Sequence, residues 1–467
     1  MSTLDARTRM LLEAPIAPTL ARLAIPNVLV MVAQASAGLI ETYFVGKLGT
    51  DALAGMALVF PIVMLMQMMS AGAIGGGIAS SVARALGGGR RDDANAVVLH
   101  ALVIALAFGA VFTVGLVFGG RWLYTQMGGS GAALDAALVY SNWIFAGAVF
   151  VWLFNSLAAV LRGTGNMAVP AKITVYGVIG LVPVSPLLIF GWGSIPAMGI
   201  AGGAMALLLY YIVGTLVLVA YMRSPRSLLK LSFAAIRLRA VFFRDILRVG
   251  IVSAIGVICT NLAVGIATSL SAHFGSGAIA GYGTASRLEY VLIPLVFGLG
   301  APLLTMVGTC IGAGKRDRAL QATWIGAGMA FAITETIGVA AALFPRAWLS
   351  LYGTDPVMLE TGTLYLRTVG PFYGFLGMGL AMYFASQGAG RLLWPISATI
   401  LRLLIAAGLG SLAIHLGGTL GQVLMAQSAA LLVYGVGVAM AIAGGSMFGK
   451  IGWPRRTADV VPGVQAG

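Results

Sequence analysis

Twelve apolar runs, separated by short stretches rich in Gly, Pro and charge, take up most of this 467-residue chain. They cover 18–46, 52–86, 94–119, 133–162, 168–190, 199–222, 246–273, 278–311, 320–344, 357–387, 393–415 and 418–445. A helix of about 20 apolar residues crosses the hydrocarbon core of a bilayer, and every run reaches that length. Several exceed it, so those helices tilt or project beyond the membrane. Charged residues make up 9% of the chain, against about a quarter in soluble domains. The pattern predicts an all-α integral membrane protein with twelve transmembrane helices.

The net charge of +14 is then read as a topology signal. Lys and Arg gather before the first run, in the even-numbered loops and in the tail, with seven between Arg223 and Arg248. Odd-numbered loops hold little beyond Lys47, Arg121 and Arg346. The positive-inside rule places both termini in the cytoplasm, here of a bacterial inner membrane. The basic surplus meets anionic lipid heads, and no nucleic-acid partner is expected. Cys259 and Cys310 lie in or beside apolar runs, which predicts packing residues rather than a disulfide. His100, His273 and His415 are scattered without ligand spacing, so no metal site is expected. The first run is too long for a signal-peptide core.

The chain also repeats itself. FVGKLGTDALAGMAL at 44–58 answers LSAHFGSGAIAGYGT at 270–284, ALGGGRRDDA at 85–94 answers CIGAGKRDRA at 310–319, and RGTGNMAVP at 162–170 answers QGAGRLLWP at 387–395. Each pair is offset by 225 or 226 residues. With six helices per copy, both copies enter the membrane from the same side, giving parallel lobes about an axis along the membrane normal. The expected organisation is a cytoplasmic segment 1–17, a first lobe 18–222, a basic linker 223–245 on the membrane surface, a second lobe 246–445 and a tail 446–467. Two such lobes enclose a central cavity and alternate its opening by rocking.

One carboxylate stands at membrane depth in the first run, LARLAIPNVLVMVAQASAGLIETYFV at 20–45. It is Glu41. A charge there costs a few kcal/mol, so it faces the bundle interior or a water-filled cavity and marks a functional position. Its repeat counterpart is Ala267, so the acid belongs to one lobe.

The stretch from Pro26 to Ala54, ending ETYFVGKLGTDALA, resembles the first helix of multidrug and toxic compound extrusion transporters. ARALGGGRRDDA and GTCIGAGKRDRA resemble that family's loops after helices 2 and 8. LRGTGN at 161–166, SPLLIFG at 185–191, PAMGIAGGAMA at 196–206 and SRLEYVLIPL at 286–295 extend the likeness over nearly the whole chain. The resemblance implies export of bulky, often cationic organic compounds against an inward proton or sodium gradient. It also exposes departures. The family's usual first-helix aspartate is Glu41, and the polar companions of its sodium-linked sites fall at Leu181, Ser185 and Leu207. Sodium needs several oxygen ligands and a proton needs one titratable group. Coupling to H+ through Glu41 is therefore the expectation, with Na+ the alternative. Desolvation favours a neutral carboxyl and a cationic cargo favours a charged one, so mutual exclusion at one group gives antiport.

Around Glu41 the expected cavity residues begin with Gln34, two turns earlier on the same face. Met64 and Met68 offer flexible, polarisable contacts, while Tyr43, Tyr140 and Tyr282 offer stacking and cation–π contacts. Ser185, Asn261, Glu289 and Glu335 complete the set. Ordinary roles stand beside these: core-filling methionines, an Arg287–Glu289 pair within one helix, and Glu335 near the interface or paired with Arg402. The pattern of a P-loop is missing, so ATP is not the expected driver. The chain reads as a monomeric secondary transporter, not an enzyme, without a cofactor beyond its coupling ion. Its partners are small organic molecules and membrane lipids. A lipid-linked precursor flippase is the first alternative, disfavoured because acids outnumber bases at cavity depth. A channel or scaffold fits the two-lobe repeat poorly.

Overall fold

A computed structural model describes residues 4–193, 195–231 and 238–445. The tail 446–467 and the middle of the linker lie outside the described residues. Among the described residues the chain is helical, its one β feature an isolated bridge between Trp192 and Ile195. Ten spans are continuous helices: α1 Ile16–Gly46, α2 Thr50–Gly87, α3 Arg91–Gln126, α5 Ala168–Phe190, α6 Ile200–Arg223, α7 Ala240–Ala272, α8 Ser276–Gly312, α9 Arg316–Leu343, α11 Leu393–His415 and α12 Leu420–Ala443. The fourth span, α4, is the pair Gly131–Ala146 and Ala148–Gly163, bent by 48°. The tenth, α10, runs as Pro356–Val369, a 3-10 turn at Gly370–Phe372, and Tyr373–Ala389.

Each break has a local cause. Gly147 stands at the bend of α4, where a residue without Cβ gives the backbone its greatest freedom. Pro371 has no N–H to donate one turn back, so the α-helical ladder of α10 is interrupted at the 3-10 turn that contains it. Inside α2, the stretch Met68–Ile74 winds as a π-helix, a form that leaves backbone groups without their usual partners. Within it, the Gly72 carbonyl accepts a 3.2 Å hydrogen bond from Gln387 Nε2 of α10 in addition to that from the Gly75 N–H. Helix ends also outrun the apolar stretches: α7 begins at Ala240 and α3 continues to Gln126. The projecting turns carry Arg244, Asp245 and Arg121, so hydropathy marks the lipid-facing length and not the helix length.

Two aromatic-rich cores form, one per lobe. The first gathers Trp152, Phe154, Phe145 and Tyr124, with Phe108 stacked on Trp152 at 5.0 Å. The second gathers Tyr365, Tyr373, Tyr434 and Leu288. A short helix, Ala6–Glu13, crosses over and buries Leu11 and Leu12 in the second core. Arg318 of α9 donates to the carbonyls of Leu11, at 3.2 Å, and Ala14. Other hydrogen bonds between the lobes gather in the half of the molecule nearest this helix, while a cavity lies deeper in the first lobe. The described parts of the linker lie against the start of α3, with Arg91 donating to the Leu228 carbonyl and the Lys230 N–H to Asn95 Oδ1.

Candidate functional site

α1 buries Val30, Ala37, Glu41 and Val45 along one stripe, at spacings of seven, four and four that return to one helix face. Ala37 packs with Val178 and Leu181 of α5 and Ala206 of α6. This apolar wall sets Glu41 beside α4, where its Oε1 accepts a 2.6 Å hydrogen bond from the Tyr140 hydroxyl. Glu41 is 3% exposed. An acid so buried needs a donor of this kind, because stripping a carboxylate of water without replacement costs several kcal/mol.

Glu41 and Tyr140 border a cavity of about 530 Å³ enclosed by α1, α2, α4, α5 and α6. That is room for a drug-sized molecule. Leu39, Phe60 and Met64 on its wall are exposed, so the mouth is open. Among the lining residues Glu41 alone carries a formal charge. Gln34, Met64, Tyr140 and Leu181 line it with Glu41.

A second polar group on the wall is not among the residues singled out from the sequence. Gln67 Nε2 donates to the Tyr211 hydroxyl, and Asn155 Nδ2 donates to Gln67 Oε1 at 3.1 Å and to Ser70 Oγ at 2.8 Å. Gln67 and Tyr211 line the cavity, and Asn155 ties them to the π-helical stretch of α2. The available signal is the one that marks Gln34, a polar side chain inside an apolar run.

The other expected residues stand apart from this cavity. Tyr43 is exposed, with the Lys47 ammonium 4.5 Å from its ring centre. Met68 and Asn261 face each other between α2 and α7, with Asn261 Nδ2 3.9 Å from the methionine sulfur. Ser185 is buried behind the wall, its hydroxyl without a hydrogen-bond partner. Glu289 and Tyr282 join a second-lobe cluster: Tyr365 donates its hydroxyl to Glu289 Oε1 at 2.8 Å, and the Tyr282 ring meets Tyr365 edge-on at 5.4 Å. Tyr365 is the repeat counterpart of Tyr140, 225 residues on. Each lobe thus pairs the same tyrosine with a glutamate, taken from α1 in one and α8 in the other.

Glu335 accepts the Gly374 N–H at 2.7 Å, just after the 3-10 turn of α10. That N–H is an orphan of the helix start, so the carboxylate serves as a cap supplied by a neighbouring helix. Arg402 lies over the Tyr434 ring at 5.7 Å. Glutamine at 335 retains an oxygen acceptor. Glu335→Gln is expected to keep proton-driven transport, while Glu335→Ala lowers stability by about 1 kcal/mol, read as the thermal unfolding midpoint in detergent. Among the described residues no three His, Cys, Asp or Glu side chains come together as metal ligands.

The family model MatE matches residues 26–187 and 253–412, one stretch in each lobe. A protein of Shewanella oneidensis named as an FAD transporter is 28% identical over 425 residues, covering 89% of this chain and 92% of its own. A probable multidrug resistance protein of Bacillus subtilis, YoeA, is 26% identical, covering 80% of this chain and 82% of its own. In three dimensions the chain superposes on a MOP-superfamily transporter from Pyrococcus furiosus with a TM-score of 0.87 at 24% identity, over 96% of this chain and 100% of that one. The last likeness is one of fold.

Proposed function

We propose, because the chain belongs to the MatE family of membrane transporters, that it exports bulky organic cations by alternating access, with proton entry coupled through Glu41. One observation carries the reading: the single formal charge on the cavity wall is a buried carboxylate. Such a group can be balanced by a proton or by a cationic cargo, and each excludes the other. Proton entry from one side and cargo release to that side then become one event.

Sodium is the weaker candidate. Leu181, Leu207 and Ala37 surround this part of the wall with carbon, and Tyr140 offers one hydroxyl. An anionic dinucleotide, the cargo named for the Shewanella relative, would want Lys or Arg against its pyrophosphate. The cavity wall has neither. With the basic loops in the cytoplasm, the joined half of the lobes faces inward and the cavity mouth outward. Proton and cargo would exchange from that state.

Uptake of a fluorescent organic cation into inverted vesicles tests the reading. An imposed proton gradient is expected to drive accumulation and a sodium gradient alone is not. Accumulation that follows sodium alone would overturn the coupling. Transport of FAD with no transport of cations would overturn the cargo.

A further inference from the structure

The contacts that join the lobes follow the internal repeat. Ser80 Oγ of α2 donates to the Gln387 carbonyl of α10 at 2.6 Å. Its counterpart 225 residues on, Thr305 of α8, donates to the Arg162 carbonyl of α4 at 3.0 Å, and Arg162 is itself the counterpart of Gln387. Gly87 lies against the Thr309 carbonyl and Gly312 against the Arg84 carbonyl, so close that a Cβ on either would overlap the oxygen. These four positions are again two pairs 225 apart. The seam is a two-fold set of neutral hydrogen bonds and glycine contacts.

One element breaks the symmetry. The Arg84 guanidinium pairs with Asp245 at the start of α7, one nitrogen lying 2.8 Å from both carboxylate oxygens. It also donates to the Gly388 carbonyl at 3.2 Å and to Ser80, while Ser81 donates to Asp245 at 2.7 Å. The repeat places Thr309 and Leu20 at the corresponding positions, so no second ion pair answers this one. The Arg84 side chain is 15% exposed and that of Asp245 44%.

We propose that the Arg84–Asp245 pair is the latch of the gate on this face. It holds the glycine seam shut, must part before the cavity can open to that side, and sets the balance between the two states. The neutral seam bonds exchange for water at little net change in free energy once the helices separate. The ion pair is different: from α2, Arg84 binds α7 through Asp245 and α10 through the Gly388 carbonyl, and loses both on opening. Because Asp245 is half-exposed, water screens the pair enough to keep the closure reversible. The proposal rests on alternating access but not on Glu41, proton coupling or the cargo.

Distances across the seam in the absence of cargo test it. Asp92 and Asp317 are exposed repeat counterparts in the first turns of α3 and α9, on opposite lobes. Spin labels at cysteines placed there, with Cys259→Ala and Cys310→Ala, report seam opening in lipid nanodiscs. Arg84→Ala and Asp245→Asn are each expected to raise the longer-distance population about tenfold over the parent. Gly312→Ala, whose methyl obstructs closure, is expected to do the same and serves as the marker of an opened seam. If Gly312→Ala lengthens the distance while both latch variants match the parent, the glycine contacts alone hold the gate and the latch is overturned. Should Arg84→Ala fail to fold, Asp245→Asn carries the same comparison by itself.

Discussion

In inverted vesicles with an imposed proton gradient, Glu41→Gln is expected to reduce accumulation of a fluorescent organic cation to the level of vesicles lacking the protein. The substitution is nearly isosteric, and its amide oxygen can still accept the Tyr140 hydroxyl now bonded to Glu41 at 2.6 Å. Packing around Ala37, Leu181 and Ala206 is untouched, so the unfolding midpoint should stay close to that of the parent. What disappears is titration: an amide cannot carry the proton or exchange it for a cation. The loss should therefore fall on gradient-driven accumulation, while binding of a neutral apolar compound to the cavity persists. Loss of both would point to a misfolded wall and would show as a lowered midpoint.

Trp152→Ala is expected to produce the largest loss of stability, about 3–5 kcal/mol, read as a fall in the thermal unfolding midpoint of detergent-purified protein. Trp152 is fully buried, stacked on Phe108 at 5.0 Å and near Phe112 at 5.9 Å. Truncation opens a cavity between α3 and α4 that helices restrained by a membrane refill poorly. Its indole N–H is buried without a hydrogen-bond partner. Trp152→Phe keeps an aromatic ring and removes that unpaired donor, so it should cost markedly less than alanine. Equal losses for the two would mean that the aromatic stack contributes little. Asn155, one turn further along α4, ties Gln67 and Ser70 to the cavity wall, so the alanine variant is also expected to weaken cargo binding.

The architecture was written in the sequence at the level of spans and symmetry. Apolar length sets the number of helices, and the repeat pairs Ser80 with Thr305 and Gly87 with Gly312 before any coordinate is known. The interruptions were harder to foresee. Pro371 breaks α10, whereas Pro26 and Pro61 sit within continuous helix. The difference lies in what satisfies the freed backbone groups, such as Glu335 on the Gly374 N–H, and that is a tertiary fact. Tyr140 is expected only for its aromatic ring, as are Tyr43 and Tyr282, while Glu41 stands out as a polar group in an apolar run. Gln67, Asn155 and Tyr211 share that property, yet their meeting depends on the rotational phase of three helices, which periodicity alone does not fix. The same limit scatters Tyr43, Ser185, Asn261 and Glu289 to other surroundings, although all lie within apolar runs of the sequence.

Proton release on cargo binding, followed with a pH indicator in weakly buffered detergent solution, tests the central claim most directly. Addition of a lipophilic organic cation to the parent protein is expected to release protons in proportion to the cation bound, and to release none from Glu41→Gln. Equal release from both proteins, or cation binding to the parent without any release, would contradict exchange of proton and cargo at this carboxylate.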